Sequence, residues 1–216
     1  MEAATSTPGT PPAYGTGNPS STKGRILIID NNPERAHSLI QILEASRYKV
    51  AVPVRLQEGL TGQVTRIKPD IILIGVDFPG QTVLGWVASL HESYPCPTVM
   101  FSRDERSETI QAATRAGVSA YAVGKLTGAR VKTIIEAAVA RFYEYRALQE
   151  ELEKTKINLA ERKIIERAKE VVAQQRGCNE SQAYQILRKM AMNRRKRLAE
   201  ISQDVLSVAD VLTNKL

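Results

Sequence analysis

The sequence is poor in the residues from which metal centres, disulfide frameworks and most active sites are built. Its 216 residues include two cysteines and two histidines. Cys96 and Cys178 are far apart and match no metal-ligand spacing, which predicts two ordinary thiols. His37 and His91 fall in separate helical stretches, which favours surface or helix-edge positions over ligation or base catalysis. Because glycine-rich phosphate loops and nucleophile–base pairs are missing as well, the sequence predicts no enzyme, no metal site and no cofactor.

Long apolar runs are missing too. No segment of the sequence approaches the roughly 20 apolar residues of a membrane-spanning helix. The first residues also lack the charged start and apolar stretch of an export signal. These two absences predict a protein of the cytoplasm that does not enter a membrane.

Residues 1–24 contain almost no aliphatic side chains and are rich in Pro, Gly, Ser and Thr. Such a segment cannot bury enough apolar surface to offset the entropy that ordering costs. We therefore predict a disordered tail and assign it no function.

From Arg25 onward, short apolar runs alternate with helical patterns. The runs show no polar alternation, so they are typical of parallel strands buried on both faces. Strands of this kind separated by helices predict a flavodoxin-like (βα)5 domain over residues 25–135, an α/β unit whose ligands bind at the carboxyl ends of the strands. The predicted strands are residues 25–29, 49–54, 70–75, 97–102 and 119–123, and the predicted helices begin at Pro33 or cover residues 56–67, 82–92 and 105–116.

A helical pattern with heptad spacing follows. Its seam positions recur at alternating steps of four and three residues, which is the repeat of a coiled coil. Arg141 and Thr155 interrupt the apolar character of the seam, so one long helix packed on its own domain is the alternative. We predict a helical linker over residues 136–160 that pairs in a homodimer. The seam consists of Ile134, Ala138, Arg141, Tyr145, Leu148, Leu152, Thr155 and Leu159.

The last part of the chain has the pattern of a small all-α domain of three helices. Gly177 suits a left-handed helix end, and Asn179 with Gln182 has the spacing of a capping box. Residues 157–216 carry 12 Lys and Arg against 7 Asp and Glu, so they hold most of the net charge of +7. A cationic run at residues 194–197 lies beside the second helix joint. Positive charge on one edge predicts a nucleic-acid partner rather than a small substrate.

The predicted α/β domain resembles the receiver domain of two-component response regulators. The resemblance rests on the segments IIDNNP and PDIILIGVDFPG and on Ser102 at the end of the fourth strand. A receiver implies an acidic pair that holds Mg²⁺, an aspartate that accepts phosphate, and Ser or Thr and Lys side chains that engage the phosphate. Here the acidic pair is Asp30 and Asn31, the acceptor position is Gly75, and the lysine position is Gly124.

A glycine offers no nucleophile, and a hard cation loses an oxygen ligand where a carboxylate is replaced. We therefore expect a pseudo-receiver that does not transfer phosphate and that serves as a platform for protein binding and dimerisation. Asp77 is the one alternative acceptor, although a role in the loop is favoured for it. The predicted degenerate phosphoacceptor pocket comprises Asp30, Asn31, Gly75, Asp77 and Ser102.

The C-terminal part, residues 161–216, resembles the ANTAR-type transcription antiterminators, and the chain as a whole is similar to their NasT and AmiR group of nitrate and amide regulators. The resemblance rests on ERKIIERAKEVV, ESQAYQILRKMAM and RKRLAEISQDV, with Glu170 standing where the family usually has glycine. It implies a protein that binds stem-loops in nascent leader mRNA and prevents termination in nitrate- and nitrogen-assimilation genes. It also implies control by a ligand-sensing partner protein rather than by phosphorylation.

RNA loops expose phosphates and unstacked bases, which attract cations and aromatic rings. We therefore expect Tyr184 to stack on a base, Asn193 to read a base edge, and nearby basic side chains to contact phosphates. The predicted RNA-binding residues are Lys169, Tyr184, Arg188, Lys189, Asn193, Arg194, Arg195 and Arg197.

Two alternatives remain open. Three basic helices also suit a DNA-binding response regulator, although the helix before Gly177 continues the linker instead of forming a separate supporting helix. The other alternative is a phosphorylation-independent signalling protein whose tail only dimerises.

Overall fold

The structure, a computed structural model, describes residues 23–57 and 59–213. These residues form two compact units that divide between Arg146 and Ala147. The predicted disordered tail lies outside the described residues, except for Lys23 and Gly24, which begin the first strand.

Strands and helices alternate through the first unit, and helices alone form the second. In chain order the elements are β1 (Lys23–Asp30), α1 (Pro33–Ala45), β2 (Tyr48–Val50), α2 (Leu60–Ile67), β3 (Ile71–Gly75), α3 (Gln81–Ser93), β4 (Thr98–Ser102), α4 (Ser107–Arg115), β5 (Ala120–Val123), α5 (Gly128–Arg176), α6 (Glu180–Arg194) and α7 (Leu198–Thr213). Helix α5 is 49 residues long and contributes to both units.

The sheet is parallel, with the strand order β2-β1-β3-β4-β5. This is the flavodoxin-like order, so the predicted (βα)5 fold is confirmed. Strand β3 lies at the centre, and β1 pairs with it from Ile26 opposite Ile71 to Asp30 opposite Gly75. The register therefore places the predicted acidic and acceptor positions side by side at the carboxyl edge of the sheet.

Strand β2 is shorter than the predicted run of residues 49–54. Its ladder with β1 ends at Val50, and a single bridge between Val54 and Ile29 follows. Pro53 has no backbone N–H to donate, so a continuous ladder cannot pass through it. The residues after β2 therefore form a loop that returns to the carboxyl edge of the sheet.

The two faces of the sheet have separate cores because successive strand residues point to opposite sides. Ile26 and Ile28 of β1 pack with α1 and the start of α5, whereas Leu27 and Ile29 pack with α2, α3 and α4. All five residues of β3 are buried. This burial on both faces explains why the strands are apolar throughout.

The second unit has its own apolar core. The C-terminal part of α5 packs with α6 and α7 through the buried residues Ala168, Val172, Ala183, Leu187, Ala191, Ile201 and Leu206. The predicted arrangement of three helices is confirmed.

Both joints of this unit have identifiable causes. Gly177 has φ of 60°, the left-handed conformation that ends α5. The side chain of Asn179 accepts from the Gln182 amide at 2.9 Å, and the Gln182 side chain accepts from the Asn179 amide at 3.2 Å, which completes the predicted capping box. At the second joint Arg195 has φ of 53°, a conformation that the sequence pattern did not predict because arginine rarely adopts it.

Candidate nucleic-acid interface and the closed acidic site

Strand β1 and helix α1 together place a charged pair at the carboxyl edge of the sheet. Asp30 is the last residue of β1, and its side chain is completely buried, with 0% of its surface exposed. Asn32 caps α1 by accepting from the amides of Glu34 and Arg35 at 3.0 and 3.2 Å. This cap fixes the first helical turn and directs Arg35 back toward Asp30.

The Arg35 guanidinium bridges two carboxylates. Its Nε donates to Asp30 Oδ2 at 2.6 Å and its Nη2 donates to Asp30 Oδ1 at 2.9 Å, while Nη1 donates to Asp77. The hydrogen bonds to Asp30 are the largest cause that raises the pKa of Arg35, and the bond to Asp77 adds to it against the opposing effect of burial. A two-pronged arginine–carboxylate pair is among the strong side-chain interactions. A side chain of the protein itself therefore fills the acidic site.

The predicted pocket residues are only partly brought together. Asp30, Gly75 and Asp77 surround the Arg35 guanidinium. Asn31 instead turns to Leu56, whose amide donates to Asn31 Oδ1 at 2.9 Å. The Asn31 side-chain amide therefore holds the loop that follows β2.

Gly75 is a close-packed position. A Cβ atom there would lie 1.9 Å from Asp30 Oδ2 and 2.7 Å from Arg35 Nε. Glycine at the former acceptor position is thus compatible with the ion pair, whereas any side chain would collide with it.

Ser102 ends β4 at the same carboxyl edge of the sheet, and its side chain bonds to the backbone of two loops. Its hydroxyl donates to the Asp77 carbonyl at 2.9 Å and accepts from the Asp104 amide at 3.1 Å. The hydrogen bonds from Arg106, together with one from the Thr109 hydroxyl, hold the pKa of Asp104 well below its usual range. Tyr121 donates its hydroxyl to the Asp104 carbonyl at 2.9 Å. The loop after β4 is therefore tied down by side chains from three places.

Helix α6 presents a polar and partly aromatic surface to solvent. Its core side carries Ala183, Leu187 and Ala191, and the neighbouring surface carries an exposed group that we call the α6 face. Tyr184 is 38% exposed and Met192 is 70% exposed, and both lie on this surface at helical spacing. The α6 face consists of Tyr184, Arg188, Lys189 and Met192.

The cations of this region fall into two classes. Across the described ranges 23–57 and 59–213, no carboxylate lies within ion-pair distance of Arg188, Lys189, Arg194 or Arg195, and all four are exposed. Asn193, which precedes this pair of arginines, is exposed as well. The four cations therefore keep their positive charge available to a ligand, and all five side chains keep their hydrogen-bond donors available.

Lys169 belongs to the other class. Its ammonium group donates to Glu166 at 2.7 Å and to Glu180 at 3.3 Å, and 13% of the side chain is exposed. The hydrogen bond to Glu166 is the largest cause of the raised pKa of Lys169, and Glu180 contributes further. Because Glu180 opens α6, Lys169 links α5 to the start of that helix.

Arg197 is likewise paired. Its Nη1 contacts Glu161 at 2.9 Å and its Nε contacts Glu200 at 3.2 Å, although 70% of the side chain is exposed. Lys196 pairs with Asp204 at 2.9 Å. The four cations of the run at residues 194–197 are therefore divided equally between free and paired side chains.

Sequence reasoning missed two residues of these sites. Arg35 carries a weak signal, a basic residue in the first helical turn after an acidic strand end, which becomes meaningful only when Asp77 is known to be adjacent. Met192 carries none, because a methionine at helical spacing is usually assigned to a core.

Comparison with known proteins agrees with the second unit's helical arrangement. Residues 153–206 match the ANTAR domain family. The chain carries an ANTAR domain. It is 26% identical over 185 residues to the transcriptional regulatory protein PdtaR of Mycobacterium tuberculosis, which covers 84% of this chain and 90% of that protein. It is also 39% identical over 77 residues to the nitrate regulatory protein of Klebsiella oxytoca, which covers 36% of this chain and 19% of that protein.

Solved receiver domains have a similar backbone. The receiver domain of a modulated diguanylate cyclase from Desulfovibrio desulfuricans G20 is 22% identical, covers 56% of this chain and 98% of its own, and has a TM-score of 0.49. A CheY-like receiver domain protein from Methanospirillum hungatei JF-1 is 21% identical, covers 56% of this chain and 97% of its own, and also has a TM-score of 0.49. Among the helices of the described residues, none has both the length and the apolar character needed to cross a bilayer.

Replacing Gly75 with alanine should destabilise the first unit, because the new methyl group would displace a buried carboxylate that Arg35 holds in place. We expect a loss of about 1–3 kcal/mol in the free energy of unfolding, the usual range for overpacking. Denaturant unfolding followed by the far-ultraviolet signal would measure it. Gly85→Ala is the matched control, since Gly85 lies inside α3 and a Cβ atom there meets nothing within 4 Å. Equal stability of the two variants would contradict the packing argument.

Proposed function

We propose that the protein is an RNA-binding transcription antiterminator whose ANTAR domain binds stem-loops in nascent leader mRNA and prevents termination. The observation that carries this proposal is the α6 face together with Arg194 and Arg195, where exposed cations without carboxylate partners in the described residues adjoin an exposed aromatic ring. Two relatives support a role in gene regulation, since one is called a transcriptional regulatory protein and the other a nitrate regulatory protein.

The chemistry of an RNA loop suits this surface. A loop presents closely spaced phosphates and splayed bases, which proteins bind with cations and stacking side chains. Arg188 and Lys189 would contact phosphates while Tyr184 stacks on a base. Asn193 would donate to or accept from a base edge.

Lys169 and Arg197 have a different proposed role. Each already satisfies two carboxylates, so an RNA phosphate would have to displace an existing partner. We expect both to position α6 and α7 for RNA binding, and to contribute less to the salt dependence than the unpaired arginines. Arg195 is less suitable for the test, because it forms the left-handed C-cap of α6 and its substitution would change the joint between α6 and α7 as well as a proposed RNA contact.

Arg188→Ala combined with Arg194→Ala should weaken RNA binding while leaving the fold intact, because both residues are exposed and helical. The slope of log K against log salt should fall by about 0.7 for each lost phosphate contact to single-stranded RNA. Fluorescence anisotropy with RNA transcribed from the leader upstream of the neighbouring operon would measure both quantities.

The matched control is Arg66→Ala combined with Arg115→Ala, which removes the same charge from exposed positions on α2 and α4. Unchanged RNA affinity in the α6 variant, or an equal loss in the control, would contradict the proposed interface. A DNA duplex of the same sequence titrated in parallel distinguishes the alternative of a DNA-binding response regulator, which would bind the duplex more tightly than the RNA.

We further propose that the protein is a homodimer paired through the middle of α5. Four large apolar residues lie along one stripe there and are exposed: Tyr145 by 60%, Leu148 by 59%, Leu152 by 55% and Leu159 by 55%. They occupy the seam positions of the heptad pattern, and exposure of such a stripe is costly unless a second helix covers it.

Charge favours a parallel pair over other partners. In the heptad register with Leu152 at position a, Glu151 occupies position g and Lys156 occupies position e. These two positions meet across the seam of a parallel dimer, so Glu151 of one protomer would face Lys156 of its partner. A second copy of the chain therefore complements the stripe in both apolarity and charge.

Replacing Leu148 and Leu152 together with asparagine should convert the dimer to a monomer, because two layers of the seam become polar. Sedimentation equilibrium would measure the mass. Ile157→Asn is the control, since Ile157 is 51% exposed but lies off the seam on the same helix. A wild-type monomer at micromolar concentration, or dissociation in the control alone, would exclude pairing through this stripe.

We also propose that control comes from a ligand-sensing partner protein in the cytoplasm and that the regulated transcripts serve nitrate or nitrogen assimilation. The first statement is supported by Gly75, which leaves no nucleophile at the acceptor position. The second is supported only by the nitrate regulatory protein to which 77 residues of this chain are similar. In this proposal residues 25–135 form the platform for protein binding. Residues 136–160 form the linker that pairs in the dimer, and residues 161–216 form the RNA-binding domain.

Incubation with a small phosphodonor and Mg²⁺ should leave the intact mass of the protein unchanged, because Asp77 is already engaged by Arg35. Mass spectrometry of the intact chain would measure this. A phosphate-sized adduct that disappears in Asp77→Ala would show that phosphorylation is available to the protein and would remove the need for partner control.

A further inference from the structure

The acidic site of a receiver implies a bound divalent cation, and here the same place is filled by an arginine of helix α1. We propose that the Arg35 guanidinium is the permanent cation of this domain: it takes the place of the divalent ion and excludes Mg²⁺ from Asp30 and Asp77. The inference concerns the first unit alone and does not depend on the RNA-binding function.

The charge balance at Asp30 supports this assignment. A carboxylate that is fully removed from water is costly unless each oxygen is paired. Both Asp30 oxygens accept from Arg35, and Oδ1 also accepts from the Asn32 amide at 2.8 Å. The buried charge is therefore neutralised and hydrogen-bonded without any ion from solution.

While Arg35 holds both carboxylates, the remaining groups do not complete the coordination of Mg²⁺. The ion requires near-octahedral oxygen ligands at about 2.0–2.1 Å. Asn31 Oδ1 is committed to the Leu56 amide, and Gly75 has no side chain to offer. Between the two carboxylates stands a guanidinium, and a second cation there would be repelled at short range. Within residues 23–57 and 59–213 no cluster of three or more His, Cys, Asp and Glu side chains is arranged to hold a metal ion.

The glycine at position 75 and the arginine at position 35 depend on each other sterically. The Cβ atom of any residue at position 75 would enter the space of the Asp30 carboxylate and of Arg35 Nε. An acceptor side chain therefore cannot be restored while Arg35 holds Asp30 in its present place.

The consequence is a site with a single state. A dissolved ion or a phosphate can leave, whereas Arg35 is covalently part of α1. Through Asp30 and Asp77 it ties the end of β1, the first turn of α1 and the loop after β3 together. Ser102, which a receiver would use to contact phosphate, is bonded to the Asp77 carbonyl instead. The domain keeps the receiver fold, but its acidic site is held in one conformation.

The test uses Mn²⁺ as a probe for the divalent-cation site, with the full chain. Electron paramagnetic resonance of free Mn²⁺ measures binding, and denaturant unfolding with and without Mn²⁺ measures its effect on stability. Wild-type protein should bind no Mn²⁺ at this site and should show the same unfolding midpoint in both conditions. Arg35→Ala should be less stable, should bind Mn²⁺, and should recover stability when the ion is added. Adding Asp30→Asn to that variant should abolish the binding.

Arg103→Ala is the matched control. Arg103 also approaches Asp77, at 3.7 Å, but 72% of its side chain is exposed and it makes no contact with Asp30. Its removal should neither weaken the domain nor create Mn²⁺ binding. If Arg35→Ala does not fold, Arg35→Gln, which keeps amide donors without the charge, replaces it.

Two results would overturn the proposal. One is Mn²⁺ binding by the wild-type protein that Asp30→Asn removes, because the site would then accept an ion beside Arg35. The other is a folded Arg35 variant that binds no Mn²⁺, because the two carboxylates would then not constitute a cation site. Failure of RNA binding would affect neither result, so the two proposals are separable.

Discussion

Helix α5 runs through the core of the first unit, then through solvent, and then through the core of the second unit. The organisation of the chain depends on this continuity. Near its start, α5 gives Val131, Ile135 and Ala138 to the core beneath the sheet, and near its end it gives Ala168 and Val172 to the core of the ANTAR domain. Between them the same helix shows apolar side chains to solvent. Isolated helices gain little stability from propensity, so this middle part is the place where a second copy contributes most. The proposed dimer follows from the continuity of the helix.

Ion pairs divide the basic residues into those that build the structure and those that are available to a ligand. Arg35 and Lys169 are largely enclosed and each joins two carboxylates. Arg188 and Lys189 are exposed and have no carboxylate within ion-pair distance in the described part of the chain. A count of charges along the sequence cannot make this division, because it weighs all four residues equally. Geometry turns a basic segment into a specific surface.

The sequence predicted those features that depend on local signals or on repeated patterns. The strand order follows from five apolar runs separated by helices, and the α6 cap follows from Asn179 and Gln182 alone. The early end of β2 was missed although Pro53 signals it, since the apolar run continues past the proline. The role of Arg35 could not be predicted from the sequence for a different reason. Its partners are five and 42 residues away, and the second becomes a neighbour only through the pairing of β1 with β3.

A fixed receiver site limits how this protein can be regulated. A signal shifts an equilibrium between states only by the difference in its affinity for them, and a site held by its own arginine offers phosphate no such difference. In the proposed scheme regulation acts instead on two other equilibria, between free and RNA-bound protein and between monomer and dimer. Pairing through α5 would place two α6 faces on one molecule, so that a leader with two stem-loops would engage the second at high effective concentration. A partner protein that prevents pairing would therefore weaken RNA binding far more than twofold without touching α6.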